Sequence, residues 1–177
     1  MKKHTTLLMG LLLLSIAGMT QNQAFEQLGF LLGQWEGTGQ GFGNNQSTIT
    51  SSFELVLNDQ YIEVINDSRF EPTSQNPAGE HHIDQGMISF DKGRGVLVFR
   101  QFNIEGYINQ YVLVDSLSTD RLLVFETEHI ENFVPGGTAR WTIEKLSEDE
   151  VETNFYVAFP GREPSCFGTN TLNRKKP

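Results

Sequence analysis

The chain has 177 residues, a formal charge of −9 and a single cysteine. That length suits one domain with a core of its own, and one cysteine excludes an intrachain disulfide, so burial must supply the stability. The acidic balance excludes the basic footprint of a nucleic-acid binder and disfavours anionic membranes.

The first element in chain order is a secretory signal. Lys2 and Lys3 precede an apolar run from Leu7 to Ala17, too short for a bilayer span of about 20 residues. Ser15-Ile16-Ala17 offers a small-residue cleavage site, and the polar Thr20-Gln21-Asn22-Gln23 opens a mature chain. The expectation is a cleavable signal over residues 1–20 and a periplasmic or secreted product with no membrane insertion. Loss of the two lysines makes the mature chain still more acidic.

Next comes Leu28 to Gly43, LGFLLGQWEGTGQGFG. A short helix near residues 24–32 runs into a strand carrying Trp35, Gly37, Gly39 and Gly41 at alternate positions, hence on one face. Trp35 fills space there, and the glycines leave the face bare for a tight bend, a close helix or a ligand. A nucleotide loop is excluded: the spacing is G-x-G-x-G, no Walker lysine follows, and Thr48-Ile49-Thr50 reads as another strand rather than a helix.

Beyond Gly33, short apolar or alternating runs recur every ten to fifteen residues, near 34–42, 47–57, 60–68, 81–90, 95–103, 106–115, 121–130, 138–146, 150–159 and 166–174. Turn-rich segments such as Asn58-Asp59, Asp91-Lys92-Gly93 and Pro135-Gly136-Gly137 separate them. The predicted fold is all-β: an up-and-down antiparallel β-barrel of about ten strands, with a short N-terminal helix, over residues 24–174. Such a barrel leaves no exposed edge. The polar Phe70 to Ala78 connection belongs at its mouth. Thirteen phenylalanines either fill the barrel solidly or line a cavity for an apolar guest.

The run L-x-x-L-L-G-x-W-x-G-x-G-x-G resembles the opening of the nitrobindin-type haem-binding β-barrels, relatives by fold of the fatty-acid-binding proteins and lipocalins. Gly79-Glu80-His81-His82-Ile83-Asp84-Gln85-Gly86 is similar to that family's G…H-x-[D/E]-x-G element, with His82 at the histidine position. The resemblance implies that His82 points into the barrel, on the face of the haem away from the iron ligand. It also implies peroxynitrite isomerisation on ferric haem, wherever haem binds. The family's iron ligand is a histidine on the last strand, and Glu163 to Leu172 contains none. Cys166 is the one strong iron ligand near that place.

Several side chains are candidates for chemistry. His82 is the sharpest, as a ligand contact or haem neighbour, against the plain reading of a locally bonded strand histidine. Arg100 shares a predicted inward face with Val96, Val98 and Phe102. It anchors a carboxylate guest, or it pairs with a protein carboxylate such as Glu126. Gln101, Tyr107, Gln110 and Tyr111 lie nearby in sequence. Phe155 sits on the apolar face Val151, Thr153, Phe155, Val157, Phe159. Glu126, Glu128, His129 and Glu131 read as a solvated acidic face rather than a metal site. The predicted ligand site is therefore Trp35, Gly37, Gly39, His82, Arg100 and Phe155.

Two functional classes follow. One is a binding barrel for a small apolar or amphipathic molecule, acting as monomer or homodimer, without nucleic acid. The other is a haem enzyme of the nitrobindin kind. The missing last-strand histidine favours the binding barrel.

Overall fold

The computed structural model describes residues 21–41, 46–74 and 76–176, so the predicted signal over residues 1–20 lies outside the described residues. A short helix, α1 (Gln21–Glu26), and a one-turn 3₁₀ segment (Gly29–Leu31) precede ten strands. These are β1 (Gly33–Gly41), β2 (Gln46–Val56), β3 (Tyr61–Phe70), β4 (Glu80–Asp91) and β5 (Val96–Asn103), then β6 (Ile108–Leu113), β7 (Leu122–Glu131), β8 (Thr138–Lys145), β9 (Glu150–Ala158) and β10 (Ser165–Arg174). Each strand pairs antiparallel with its chain neighbour, and β1 pairs with β10 to close the barrel. Closure satisfies the edge hydrogen bonds that an open sheet would expose.

The predicted short helix near 24–32 is present as α1, which starts earlier and ends at Glu26, with the separate 3₁₀ turn after it. Gly29 is a poor helix former, and the 3₁₀ turn buries both Leu28 and Leu31. With Ala24 and Phe25, these residues plug the end of the barrel where β1 begins. Above the plug, Phe53, Ile62, Ile88, Leu123, Ile143, Val151 and Leu172 form an apolar layer, followed by Phe99, Tyr111, Phe125 and Trp141. Phe99 packs against the other three at ring-centroid distances of 5.8, 6.4 and 5.3 Å. Each fully buried side chain of this size contributes about 1.5–3 kcal/mol.

The opposite end is open. Here the inward-facing positions change character within single strands. On β4 the inward series runs Phe90, Ile88, Gly86, Asp84, His82, Glu80, from apolar at the plug to ionisable at the mouth. On β5 it runs Leu97, Phe99, Gln101, Asn103. The barrel is thus packed solid below and hollow above.

Candidate functional site

The hollow upper half is a cavity of about 500 Å³, within the range of small-molecule sites. One wall is polar and comes from β3, β4, β5 and the β5–β6 turn: Asn66, His82, Asp84, Gln101 and Glu105, with Glu80 at the rim. The other is largely aromatic, built by Trp141, Phe155 and Phe167, with Tyr107, Tyr111 and Phe70 completing the ring.

A chain of side-chain hydrogen bonds organises the polar wall. Ser51 donates to the Asn66 carbonyl at 2.7 Å, and the Asn66 amide donates to Asp84 Oδ1 at 2.7 Å. From the other side, Asn109 donates to the Gln101 carbonyl at 3.0 Å, and the Gln101 amide donates to the same Oδ1 at 2.6 Å. The Asn109 amide also donates to Tyr111 Oη at 3.2 Å. Because each amide oxygen accepts elsewhere, each amide nitrogen must face Asp84. Burial pushes the Asp84 acid up to about 6, the two amide hydrogen bonds pull it down, and the charge of Glu105 raises it further.

At the rim, both ring nitrogens of His82 face carboxylates: Nδ1 meets Glu105, and Nε2 meets Glu80 at 3.1 Å. Burial alone would lower the imidazole pKa, but the hydrogen bonds to Glu105 and Glu80 outweigh it and hold the ring above its ordinary value. The edge of Phe70 meets this ring at 5.7 Å. His81 points the other way and pairs with Asp67 at 3.0 Å on the outside. Phe70 and Glu80, the strand residues that flank the 70–78 connection, both line the cavity at its mouth.

The predicted site residues separate into two groups. His82 and Phe155 lie on the cavity wall, together with Gln101, Tyr107 and Tyr111. Trp35, Gly37, Gly39 and Arg100 do not. Trp35 is sealed in the floor, 1% exposed, where its indole N–H donates to the Leu31 carbonyl at 2.7 Å. Gly37 serves a close backbone approach, since a Cβ there would sit 2.0 Å from the Thr171 carbonyl oxygen. The bare face at Gly39 is filled by protein, because a Cβ would meet Asn170, Ser47 and Ile49 within 3.0 Å.

Arg100 is the clearest correction. It is exposed on the outer surface and donates to Ser89 Oγ at 3.3 Å. Its proposed partner Glu126 instead accepts from Arg140 on β8 at 2.5 Å, also outside. The misreading has a physical cause: Val98 and Phe99 are both fully buried although they face opposite sides of β5, so burial demand does not reveal the inward face. In the same acidic run, Glu128 receives Arg94 at 2.7 Å. Among the described residues, no three His, Cys, Asp or Glu side chains gather to hold a metal. Cys166 is exposed, and its thiol donates to the Gly168 carbonyl at 3.5 Å.

Asp84, Asn66 and Asn109 escaped sequence reasoning as site residues. The available signal was the H-x-D spacing of His82 and Asp84, which places both on one face of β4.

The architecture is a closed, ten-stranded, up-and-down antiparallel barrel. No family model matches the chain, and neither does any curated protein. Among solved structures, Rv2717c from M. tuberculosis aligns with a TM-score of 0.64 at 17% identity, covering 86% of this chain and 98% of that one. The barrel EF1p2_mFAP2b bound to DFHBI aligns with a TM-score of 0.47 at 12% identity, covering 86% and 99%. A fluorescence-activating β-barrel of de novo design gives 0.42 at 13%, covering 83% and 95%. The likeness to Rv2717c shows a shared fold.

The cavity wall does not suit haem, the cofactor implied by the nitrobindin resemblance. Axial ligation takes a strong donor such as His, Cys thiolate, Met or Tyr. Both His82 nitrogens are engaged by carboxylates, and Cys166 is off the cavity wall. Burial, reinforced by the charge of Asp84, pushes the Tyr111 phenol well above its ordinary value, against a phenolate ligand. Haem propionates would meet Glu80, Asp84 and Glu105 without a lysine or arginine on the described wall to receive them.

Proposed function

We propose that this protein is an exported binding barrel that holds one small amphipathic molecule in the upper half of its interior. The observation that carries the reading is the two-sided cavity. A guest would lay its apolar body against Trp141, Phe155 and Phe167 while its polar groups meet Asp84, Gln101 and the His82 rim. Apolar contact supplies roughly 25 cal/mol per Å² buried, and a few polar groups fix orientation. The solid, plugged lower half makes this a closed-bottom receptacle rather than a channel.

Export rests on the charged start, compact apolar run and small-residue site of residues 1–20. Intact mass of the secreted form should show loss of about 17–23 residues; full-length chain in the membrane fraction would count against it. For binding, a chemically broad small-molecule screen read by melting temperature and by Trp141 fluorescence should yield saturable hits. A screen in which neither signal moves would overturn the binding reading.

A further inference from the structure

Resting on that binding reading, we infer that the cavity selects a guest carrying an organic cation, an ammonium or amidinium on an aromatic body, and that Asp84 receives it. Three independent features point the same way.

The first is charge. The ionisable groups on the wall are Glu80, His82, Asp84 and Glu105 besides two tyrosines, with no lysine or arginine among the described lining residues. The single imidazole is shared between Glu80 and Glu105 at the rim. Even when protonated, it leaves the deeper carboxylate without a counter-charge. The nearby arginines do not compensate, since Arg69 pairs with Asp67 and Arg100 lies outside the barrel. A carboxylate guest would enter a field of its own sign, whereas a cation supplies what the wall lacks.

The second is the direction of the hydrogen bonds. The Ser51–Asn66 and Asn109–Gln101 pairs turn both amide N–H groups toward Asp84, and both land on Oδ1. Among the described residues Oδ2 receives no hydrogen bond. The network therefore braces a negative group in one orientation and leaves an acceptor oxygen free on the cavity side. A charge-assisted N–H from a guest completes it.

The third is the aromatic surround. Tyr107, Tyr111 and Trp141 line the same space as Asp84, and the face of an aromatic ring attracts a cation. Carboxylate and rings together recognise an aryl amine better than either recognises a neutral analogue.

Naphthylethylamine, naphthylethanol and naphthylacetic acid share one aromatic body and differ in the polar group. Calorimetric titration near neutral pH should rank the amine about tenfold or more tighter than the alcohol, with the acid weakest. Asp84→Asn keeps an acceptor for Asn66 and Gln101, and it should erase the amine's advantage, bringing the ratio of amine to alcohol affinity close to one. Glu105→Gln should weaken the amine severalfold, and Arg100→Leu, altered outside the barrel, should change none of the three. An alcohol that binds as tightly as the amine, or an amine preference that survives Asp84→Asn, overturns the inference while the binding reading stands. If none of the three binds, the inference also falls, and the broad screen decides separately whether the cavity takes any guest.

Discussion

Arg174 and Trp35 face each other in register across the β1–β10 seam, with the guanidinium 4.3 Å from the centre of the indole ring. The same guanidinium donates to the Leu32 carbonyl at 2.7 Å and the Phe30 carbonyl at 2.6 Å. Residues near the two ends of the barrel sequence are thereby tied to the 3₁₀ turn that closes its floor. One arginine holds seam and plug together.

Replacing Arg174 with methionine keeps the aliphatic stem but strips both carbonyls of their donor and removes the cation from the indole. Hydrogen bonds from a charged donor and a partly shielded cation–π contact together argue for a loss of about 2–3 kcal/mol. The ion pair with Asp149 at 3.5 Å is half-exposed and adds little. Urea denaturation should show the lower midpoint, and an unchanged midpoint would remove Arg174 from the role of clasp. The cavity lies at the far end, so guest affinity should hold wherever the variant is folded.

Asp84 sets a stability slope with pH. Its acid is raised by burial from 3.8 to about 6, so the folded chain binds this proton more tightly than the unfolded chain does. The group's favourable contribution is fully present below the unfolded value and is lost as pH rises through about 6. Above that, the ionised, buried Asp84 costs the fold on the order of 3 kcal/mol. His82 acts in the same sense at higher pH, since its raised value makes its contribution fade above its ordinary 6.5. Glu80, held low by His82 and then Asn76, acts oppositely, and so does Asp67, where hydrogen bonds to His81 and Arg69 outweigh burial. Their contributions are present at neutral pH and lost on acidification. Subtracting the Asp84→Asn curve isolates one group: the variant should gain on the natural protein from about pH 4 to pH 6 and then hold level. Parallel stability curves would show that Asp84 titrates alike in the folded and unfolded chain, so that burial does not raise it.

The element pattern was legible in the sequence because turn chemistry punctuates every hairpin. All ten strand runs were found, with boundaries within a few residues of those seen. The inward face was legible where one side of a strand is polar, as on β9, where Val151 and Thr153 alternate with Glu152 and Asn154. It failed on β5, whose lower part is apolar on both sides, and this placed Arg100 inside. It also failed for the site itself. A polar cavity wall such as Asn66, Asp84 and Gln101 has the alternation of a solvent-facing surface, and only the closed fold shows that those residues face each other. The alternating glycines of β1 suit a tight bend, a close helix or a ligand alike, and at Gly37 the space is taken by the β10 backbone, a long-range contact that no local pattern carries.

Haemin titration should give no sharp, stoichiometric Soret shift, because carboxylates hold both His82 nitrogens, burial raises the Tyr107 and Tyr111 phenols against phenolate ligation, and the described wall carries no cation for the propionates. The peroxynitrite isomerase activity implied by the nitrobindin resemblance would then have no haem on which to run. A tight one-to-one shift abolished by His82→Ala would mean that the imidazole leaves its two carboxylates for iron. A shift abolished instead by Cys166→Ala would mean that β10 rearranges to bring its thiol inward. Either result would restore the haem reading.

Two glycines across the β1–β10 region should separate fold from binding. Gly37→Ala places a Cβ 2.0 Å from a backbone carbonyl, where no side-chain rotation gives relief, so the seam must part. A loss of about 2–4 kcal/mol or failure to fold is expected, in the range of overpacked cores and upward. Gly168 lies on the cavity wall, and a Cβ there would meet nothing closer than the Gln40 carbonyl at 3.9 Å. It also pairs with Gly41, so its added side chain has no bulky register partner on β1. Gly168→Leu should therefore fold with a near-native melting temperature, since a strand interior gains rather than loses from replacing glycine. Its side chain takes up room beside Phe155 and Asn170, so guests of every charge type should bind more weakly, about tenfold or beyond where the aromatic body no longer fits. This outcome depends on the cavity alone, whatever group Asp84 prefers. Unchanged affinity in a well-folded Gly168→Leu protein would show that guests bind elsewhere on the barrel.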